Sequence, residues 1–134
     1  MSRTTRLGLS LAPADTAQAF VIFNELVNWL EGGYIELFKP FTEVDVATYD
    51  VAEFDYILHV TYTATGTVAI TIPTALLVEG RMFRIKDGSG GASTNNITVD
   101  CEGSETIDGS ATHILSSNYG SIAMYCDGIN WFVL

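Results

Sequence analysis

Basic residues are scarce in this chain. Its 134 residues include six Lys and Arg against 16 Asp and Glu, which gives a formal net charge of −10 at pH 7. A surface with this charge repels both the phosphate backbone of a nucleic acid and an anionic membrane surface. The sequence therefore predicts no nucleic acid and no membrane among its partners.

Long apolar runs are missing as well. The longest apolar stretch, within residues 17–30, is interrupted by Asn24, Glu25 and Asn28 and is too short to span a bilayer. Residues 1–9 carry two Arg, but no continuous apolar region follows them, so we expect no secretory signal. Apolar residues still make up 48% of the chain and charged residues only 16%, a balance typical of a folded domain with its own core.

Cysteine and histidine occur only twice each. Cys101 and Cys126 both fall on predicted strands at core-facing positions. Without an export signal, buried free thiols are favoured over a disulfide between them, which stays the alternative. His59 and His113 lie on separate predicted strands, away from Cys at zinc-ligand spacing, so we expect surface or interface positions for them.

The motifs of common reaction centres and ligand sites are also absent. There is no Gly-x-Ser-x-Gly elbow, and residues 87–91 lack the Lys-Ser/Thr ending of a phosphate-binding loop. Four acids near predicted turns do not have the spacing of an EF-hand calcium loop: Asp100, Glu102, Asp108 and Asp127. We therefore expect no enzyme activity, no cofactor and no metal site.

Residues 95–109 show most clearly what the chain does contain. Ile97, Val99 and Cys101 alternate with polar residues, which is the period of a strand with one buried face. A polar Gly-containing turn and a second short run, Thr106-Ile107, follow. This pattern predicts a β-hairpin.

Similar short runs continue along the chain. Residues 41–54 are rich in acids and predict an edge strand with a loop, because charge at a sheet rim blocks unwanted pairing. Further strands are predicted at residues 34–38, 56–63, 68–72, 82–86, 112–115, 121–126 and 131–134. The fold class is therefore mainly β, with a β-sandwich or jelly-roll-like antiparallel domain over residues 34–134.

Residues 1–33 are expected to form an N-terminal arm and one α-helix that serve attachment and oligomerisation. The arm is locally basic and has alternating leucines, namely Arg3, Arg6, Leu7, Leu9 and Leu11. Docking of its bases on an acidic neighbour and a solvated tail are both open for it. The helix is predicted between the capping Asp15 and the paired Gly32-Gly33. It carries two apolar stripes, one of Phe20, Phe23, Val27 and Leu30 and the other of Ile22, Leu26 and Trp29.

Two apolar stripes are more than one sheet can cover. We favour a helix shared between subunits, and coverage by the arm and a long loop is the alternative. These twelve residues of the arm and the two stripes are the predicted interface for oligomerisation and attachment.

The second half of the chain resembles a β-domain of structural proteins in tailed bacteriophages. The similarity rests on the order of short motifs over residues 56–134: Val-Thr-Tyr-Thr-Ala at 60–64, Ile-Pro-Thr-Ala at 72–75, Ile-Lys-Asp-Gly at 85–88, Asn-Asn-Ile-Thr-Val at 95–99, Thr-Ile-Asp-Gly at 106–109 and Gly-Ser-Ile…Asp-Gly-Ile-Asn-Trp at 120–131. The resemblance implies a homotrimer in the virion, without enzyme activity, in a capsid decoration (cement), head-fibre or tail-fibre protein.

Two functions follow from the resemblance. The favoured one is a compact trimeric decoration protein that binds and stabilises the particle surface, with the major capsid protein as its partner. The alternative is a tail-fibre or adhesin-like component that binds host-surface glycans through loop residues such as 89–95 and Tyr119. Tyr119, Tyr125 and Trp131 would suit a carbohydrate platform, although packing in a core or interface is the favoured interpretation.

Overall fold

The computed structural model describes Arg3–Thr4, Ser10–Leu11, residues 39–64 and residues 66–134. Contacts divide the chain into two units, Met1–Phe38 and Lys39–Leu134. In the first unit, strands β1 (Arg3–Thr4) and β2 (Ser10–Leu11) pair antiparallel, with Arg3 opposite Leu11. The predicted helix and the predicted strand at 34–38 lie outside the described residues.

The second unit is built of strands, which confirms the mainly β prediction. Its described residues contain no α-helix, and only Thr74–Leu76 forms a short 3-10 helix. No helix in the described part of the chain has the length and apolarity needed to cross a membrane. The strands are β3 (Phe41–Val44), β4 (Thr48–Asp50), β5 (Ile57–Val60), β6 (Val68–Ile72), β7 (Met82–Asp87), β8 (Ile97–Cys101), β9 (Thr112–Leu115), β10 (Ser121–Cys126) and β11 (Trp131–Val133).

These strands form two mixed sheets, so the prediction of an antiparallel domain is wrong. The five-stranded sheet has the order β11-β10-β7-β5-β3, and the four-stranded sheet has the order β4-β6-β8-β9. Strands β3, β5 and β7 are parallel neighbours, and so are β4, β6 and β8. The chain alternates between the sheets from β3 to β8, which makes strands two apart in sequence neighbours that run in the same direction.

Because of this alternation, the chain makes three successive coils of two strands each, one strand in either sheet: β3 and β4, β5 and β6, and β7 and β8. The antiparallel strands β9, β10 and β11 follow. Equivalent positions in the coils are unevenly spaced along the chain. Phe41 pairs with Ile57, which pairs with Arg84, at separations of 16 and 27 residues. Because loop lengths differ in this way, the coils leave no fixed-period repeat in the sequence.

The prediction of a β-hairpin at residues 95–109 is also wrong. Strand β8 forms as expected, but its antiparallel partner is β9. Ile107 makes only isolated bridges, to Ser110 and to Trp131. Thr106 is held by the Asn130 side chain, whose Oδ1 accepts from the Thr106 backbone N–H at 2.9 Å. Long-range bonds to the β11 region therefore replace the local pairing that the sequence pattern indicates.

One hydrophobic cluster takes residues from the strands of both sheets. Alternate residues of each strand point into it, as the two-residue period requires. Trp131 is 1% exposed and packs edge-on against Phe83, with ring centroids 5.2 Å apart. Full burial of such side chains contributes about 1.5–3 kcal/mol each. The cluster includes Val44, Leu58, Val60, Val68, Ile70, Ile72, Phe83, Ile85, Ile97, Val99, Met124, Cys126 and Trp131.

Candidate interaction surface

Asp87, at the end of β7, is a buried residue whose two carboxylate oxygens accept hydrogen bonds from other parts of the chain. It is 1% exposed because the alternation of Phe83, Ile85 and Asp87 turns it inward. Its Oδ1 accepts from Ser89 Oγ at 2.9 Å, and its Oδ2 accepts from the backbone N–H groups of Ala92 and Tyr119, each at 3.0 Å. Burial raises the pKa of Asp87, but these hydrogen bonds outweigh it and the pKa lies below the usual range.

A second buried acid, Asp55, fixes the loop before β5. Its Oδ2 accepts from the Tyr49 hydroxyl at 2.8 Å and from the Ala52 N–H at 2.7 Å, and its Oδ1 accepts from Thr42. Burial, and then the bond to Asp55, raises the pKa of Tyr49 to about 12. Asp55 is therefore a structural anchor, since its partners are donors of the surrounding loop and strands.

Arg81 also holds this loop. Its guanidinium donates to the backbone carbonyls of Ala52, Glu53 and Asp55. The buried Nε has no hydrogen-bond partner among the described residues. A cleft of about 670 Å³ lies beside this clamp and is lined by Phe54, Leu76 and Val78 as well as by charged side chains.

Two turns, at residues 106–109 and 127–130, are closed by acidic side chains. Asp127 Oδ1 accepts from the backbone N–H groups of Ile129 and Asn130, at 2.8 and 2.7 Å, and these bonds hold the Asp127 pKa below its usual range. Asp108 has a positive φ of 49° and accepts from the Val133 N–H at 3.1 Å. Both acids act as turn-forming residues, a common use of Asp in tight turns.

Cysteine and histidine do not assemble into a site within the part of the chain that the structure describes. Both thiols are free, and burial followed by the nearby acids raises the pKa of Cys101 to about 11. His59 is half-buried, with its ring centroid 5.3 Å from that of Phe41. Among the described residues, no three His, Cys, Asp or Glu side chains come close enough to share a metal ion.

The aromatic residues considered for a carbohydrate platform are separated. Trp131 is buried in the core, which excludes it from a surface platform. Tyr119 is 63% exposed and lies against the turn at Gly90, where an added Cβ would come within 2.4 Å of its ring. Tyr125 stacks on Phe132 with centroids 5.3 Å apart.

The outer face of the five-stranded sheet is the most distinctive surface of the second unit. Its side chains alternate with the buried ones, and the strand register aligns them in three rows across the sheet. The rows are Phe41-Ile57-Arg84-Ala123, Glu43-His59-Lys86-Ser121 and Met82-Tyr125-Phe132.

This outer face combines apolar and basic character. Phe41 is 60% exposed, and Tyr125 and Phe132 place their stacked rings at the other end of the sheet. Arg84 and Lys86 project from the central strand, beside a depression of about 380 Å³ between β7 and β10. They are half of the four Lys and Arg in residues 39–134, which contain twelve Asp and Glu. Exposed apolar side chains that lie together beside polar ones are typical of an interaction site, which makes this surface a candidate contact area.

The predicted interface residues fall in the first unit. Only the backbones of Arg3 and Leu11 belong to the described residues, and there the two are paired. The remaining ones, Arg6, Leu7, Leu9, Phe20, Ile22, Phe23, Leu26, Val27, Trp29 and Leu30, lie outside the described residues. Sequence reasoning missed the outer face, because its rows depend on pairings between distant strands.

No family model matches the chain, and no curated protein matches it either.

Proposed function

We propose that the chain is a structural protein of a tailed-bacteriophage virion, and that it works as a trimeric capsid decoration protein of the cement or head-fibre type. Its partners are two further copies of itself and other virion proteins such as the major capsid protein. It is assembled in the host cytoplasm and has a structural role rather than a reaction. Its second unit is proposed to be a β-sandwich related to jelly-roll domains.

The observation that carries this proposal is the partly apolar outer face of the five-stranded sheet. A contact area of this kind suits a protein that works by binding other proteins. The acids that might otherwise suggest chemistry are engaged by the fold, since Asp55 and Asp87 accept hydrogen bonds from loop and strand donors. The motif order of the second half of the chain adds the virion context by resemblance.

Attachment is proposed to use the basic arm with Arg3 and Arg6. An arm of positive charge on an acidic chain suits an acidic patch on the capsid. Oligomerisation is proposed to use the two apolar stripes of residues 15–31, which need a partner to leave water.

The alternative is an adhesin-like or tail-fibre component that binds a host glycan. One observation favours it: Tyr119 is exposed beside the loop that starts at Gly88, and the Asp87 carboxylate bonds the backbone of both segments. An exposed aromatic ring next to a rigid polar loop suits the face of a sugar.

Binding to purified capsids separates the two functions. We expect the chain to sediment with capsids of the phage whose genome carries its gene and to raise the temperature at which they rupture. Binding to host cells without any binding to capsids would contradict the decoration role and support the alternative.

A matched pair of variants tests the arm. R3Q/R6Q and T48E/T112E lower the net charge by the same amount, but Thr48 and Thr112 are exposed on the four-stranded sheet. We expect R3Q/R6Q to weaken capsid binding at least tenfold and T48E/T112E to leave it within twofold of wild type. Equal losses in both variants would contradict attachment through the arm.

A further inference from the structure

We infer that the outer face of the five-stranded sheet contacts a second copy of this chain, and that Arg84 and Lys86 meet the acidic β3–β4 edge of that copy. The β3–β4 edge is defined here by Asp45, Val46 and Asp50. The inference rests on the proposed trimer and names a surface through which its copies associate.

The charges of the second unit indicate which partner contacts the outer face. The second unit carries three acids for every base, and its two neighbouring exposed or half-buried bases, Arg84 and Lys86, project from one strand. Two copies of so acidic a chain repel each other over most of their surfaces, except where these bases meet carboxylates. Arg84 is exposed and has no carboxylate partner among the described residues, so it is available for such a contact.

The β3–β4 edge supplies the complementary surface. Strand β3 ends the five-stranded sheet and β4 ends the four-stranded sheet, so no further strand among the described residues covers either one. Asp45 and Asp50 are exposed there, and Val46 between them is 45% exposed. This edge therefore offers two carboxylates and an apolar side chain, which complement two bases on a partly apolar face.

The charges favour a contact between two different surfaces over a contact of the outer face with itself. If the outer face paired with itself about a two-fold axis, the bases of both copies would approach each other, which is unfavourable. The edge of a sheet points at a right angle to the normal of its face. A contact from the face of one copy to the edge of the next therefore turns the chain of copies, and a turn of one third of a circle closes the proposed trimer.

Charge reversal on each side of the contact provides the test. R84E/K86E reverses the basic side, D45K/D50K reverses the acidic side, and the fourfold variant exchanges the two and has the net charge of the wild type. Sedimentation velocity over a range of micromolar concentrations measures the association of each. We expect both double variants to associate at least tenfold more weakly than wild type and the fourfold variant to recover most of the loss.

Folding is checked independently by thermal unfolding. Lys86 donates to the Tyr119 carbonyl, so R84E/K86E also removes an internal bond. The single variant R84E, at an exposed side chain, keeps the test decisive if the double variant unfolds. We expect R84E alone to weaken association at least threefold.

Several results would overturn the inference. A wild-type monomer at these concentrations, association unchanged in R84E and both double variants, or a loss that the fourfold variant does not recover would each do so. If R84E/K86E kept its association but lost capsid binding, the occupant of the outer face would be the capsid and the inference would be wrong. A chain that associates as described yet never binds capsids would instead contradict the virion role alone.

Discussion

Asp87 accepts a hydrogen bond at 3.0 Å from the backbone N–H of Tyr119, 32 positions further along the chain. The same carboxylate also binds the Ala92 N–H, so one buried side chain fixes two separate loops. Hydrogen bonds to charged groups contribute about 1.5–3 kcal/mol each. Asp87 is therefore a main stabilising residue of the end of the sheet where β7 finishes.

Replacing Asp87 by Asn tests this role. The amide would turn an NH₂ group toward donors that the carboxylate satisfies, so we expect Asp87→Asn to lower the free energy of unfolding by about 2–4 kcal/mol. Urea unfolding measures the change. Glu79→Gln is the control, because Glu79 is exposed, and it should stay within about 0.5 kcal/mol of wild type. Equal stability of Asp87→Asn and wild type would contradict the prediction.

The same carboxylate should make stability depend on pH. Its pKa is lower in the folded chain than in the unfolded chain. The folded state is therefore stabilised by ionised Asp87 above about pH 4, the ordinary pKa of Asp, and loses this contribution as the pH falls through the lower folded pKa. We expect the drop in unfolding free energy between pH 5 and pH 3 to be smaller in Asp87→Asn. An identical drop in both proteins would show that other groups cause the acid sensitivity.

Gly88 and His59 form a close contact that excludes larger residues. A Cβ at Gly88 would lie 2.3 Å from the imidazole ring of His59. We expect Gly88→Ala to cost about 1–3 kcal/mol through overpacking, and much less in a background that carries His59→Ala. A double-mutant cycle by urea unfolding measures the coupling between the two positions. No coupling would mean that the ring moves away freely.

Arg81 and Arg84 offer a matched pair of arginine substitutions. Arg81 donates to three backbone carbonyls with its planar guanidinium, a geometry that an ammonium group cannot reproduce. We expect Arg81→Lys to lower the free energy of unfolding by about 1–3 kcal/mol. Arg84→Lys, at an exposed position, should change it by less than about 0.5 kcal/mol. Similar effects of the two variants would contradict a stabilising role for the three hydrogen bonds of Arg81.

The sequence predicts the strands of the second unit well because alternation is a local signal. The predicted bounds of β6 and β10 coincide with the observed Val68–Ile72 and Ser121–Cys126. The acid-rich residues 41–54, predicted as one edge strand and a loop, contain two strands, β3 and β4, each at the edge of its own sheet. These features depend only on which residues of one segment face the core and which face water.

Strand pairing was beyond the sequence because it depends on distant segments. The turn after β8 has the residues of a hairpin, yet Thr106 is held by Asn130. The burial of Asp87 could have been predicted from the sequence, because Asp87 follows Phe83 and Ile85 at the same two-residue spacing. The rows of the outer face could not have been predicted from the sequence, because they form only when β3, β5, β7 and β10 pair in register.

Copies of this chain are expected to associate through surface that one copy leaves uncovered. The mass of the purified protein in solution shows whether they do. Mass photometry supported by sedimentation equilibrium at micromolar concentration measures it. We expect one species with three times the 14.5 kDa of a single chain. A species of 14.5 kDa at every concentration would contradict this expectation.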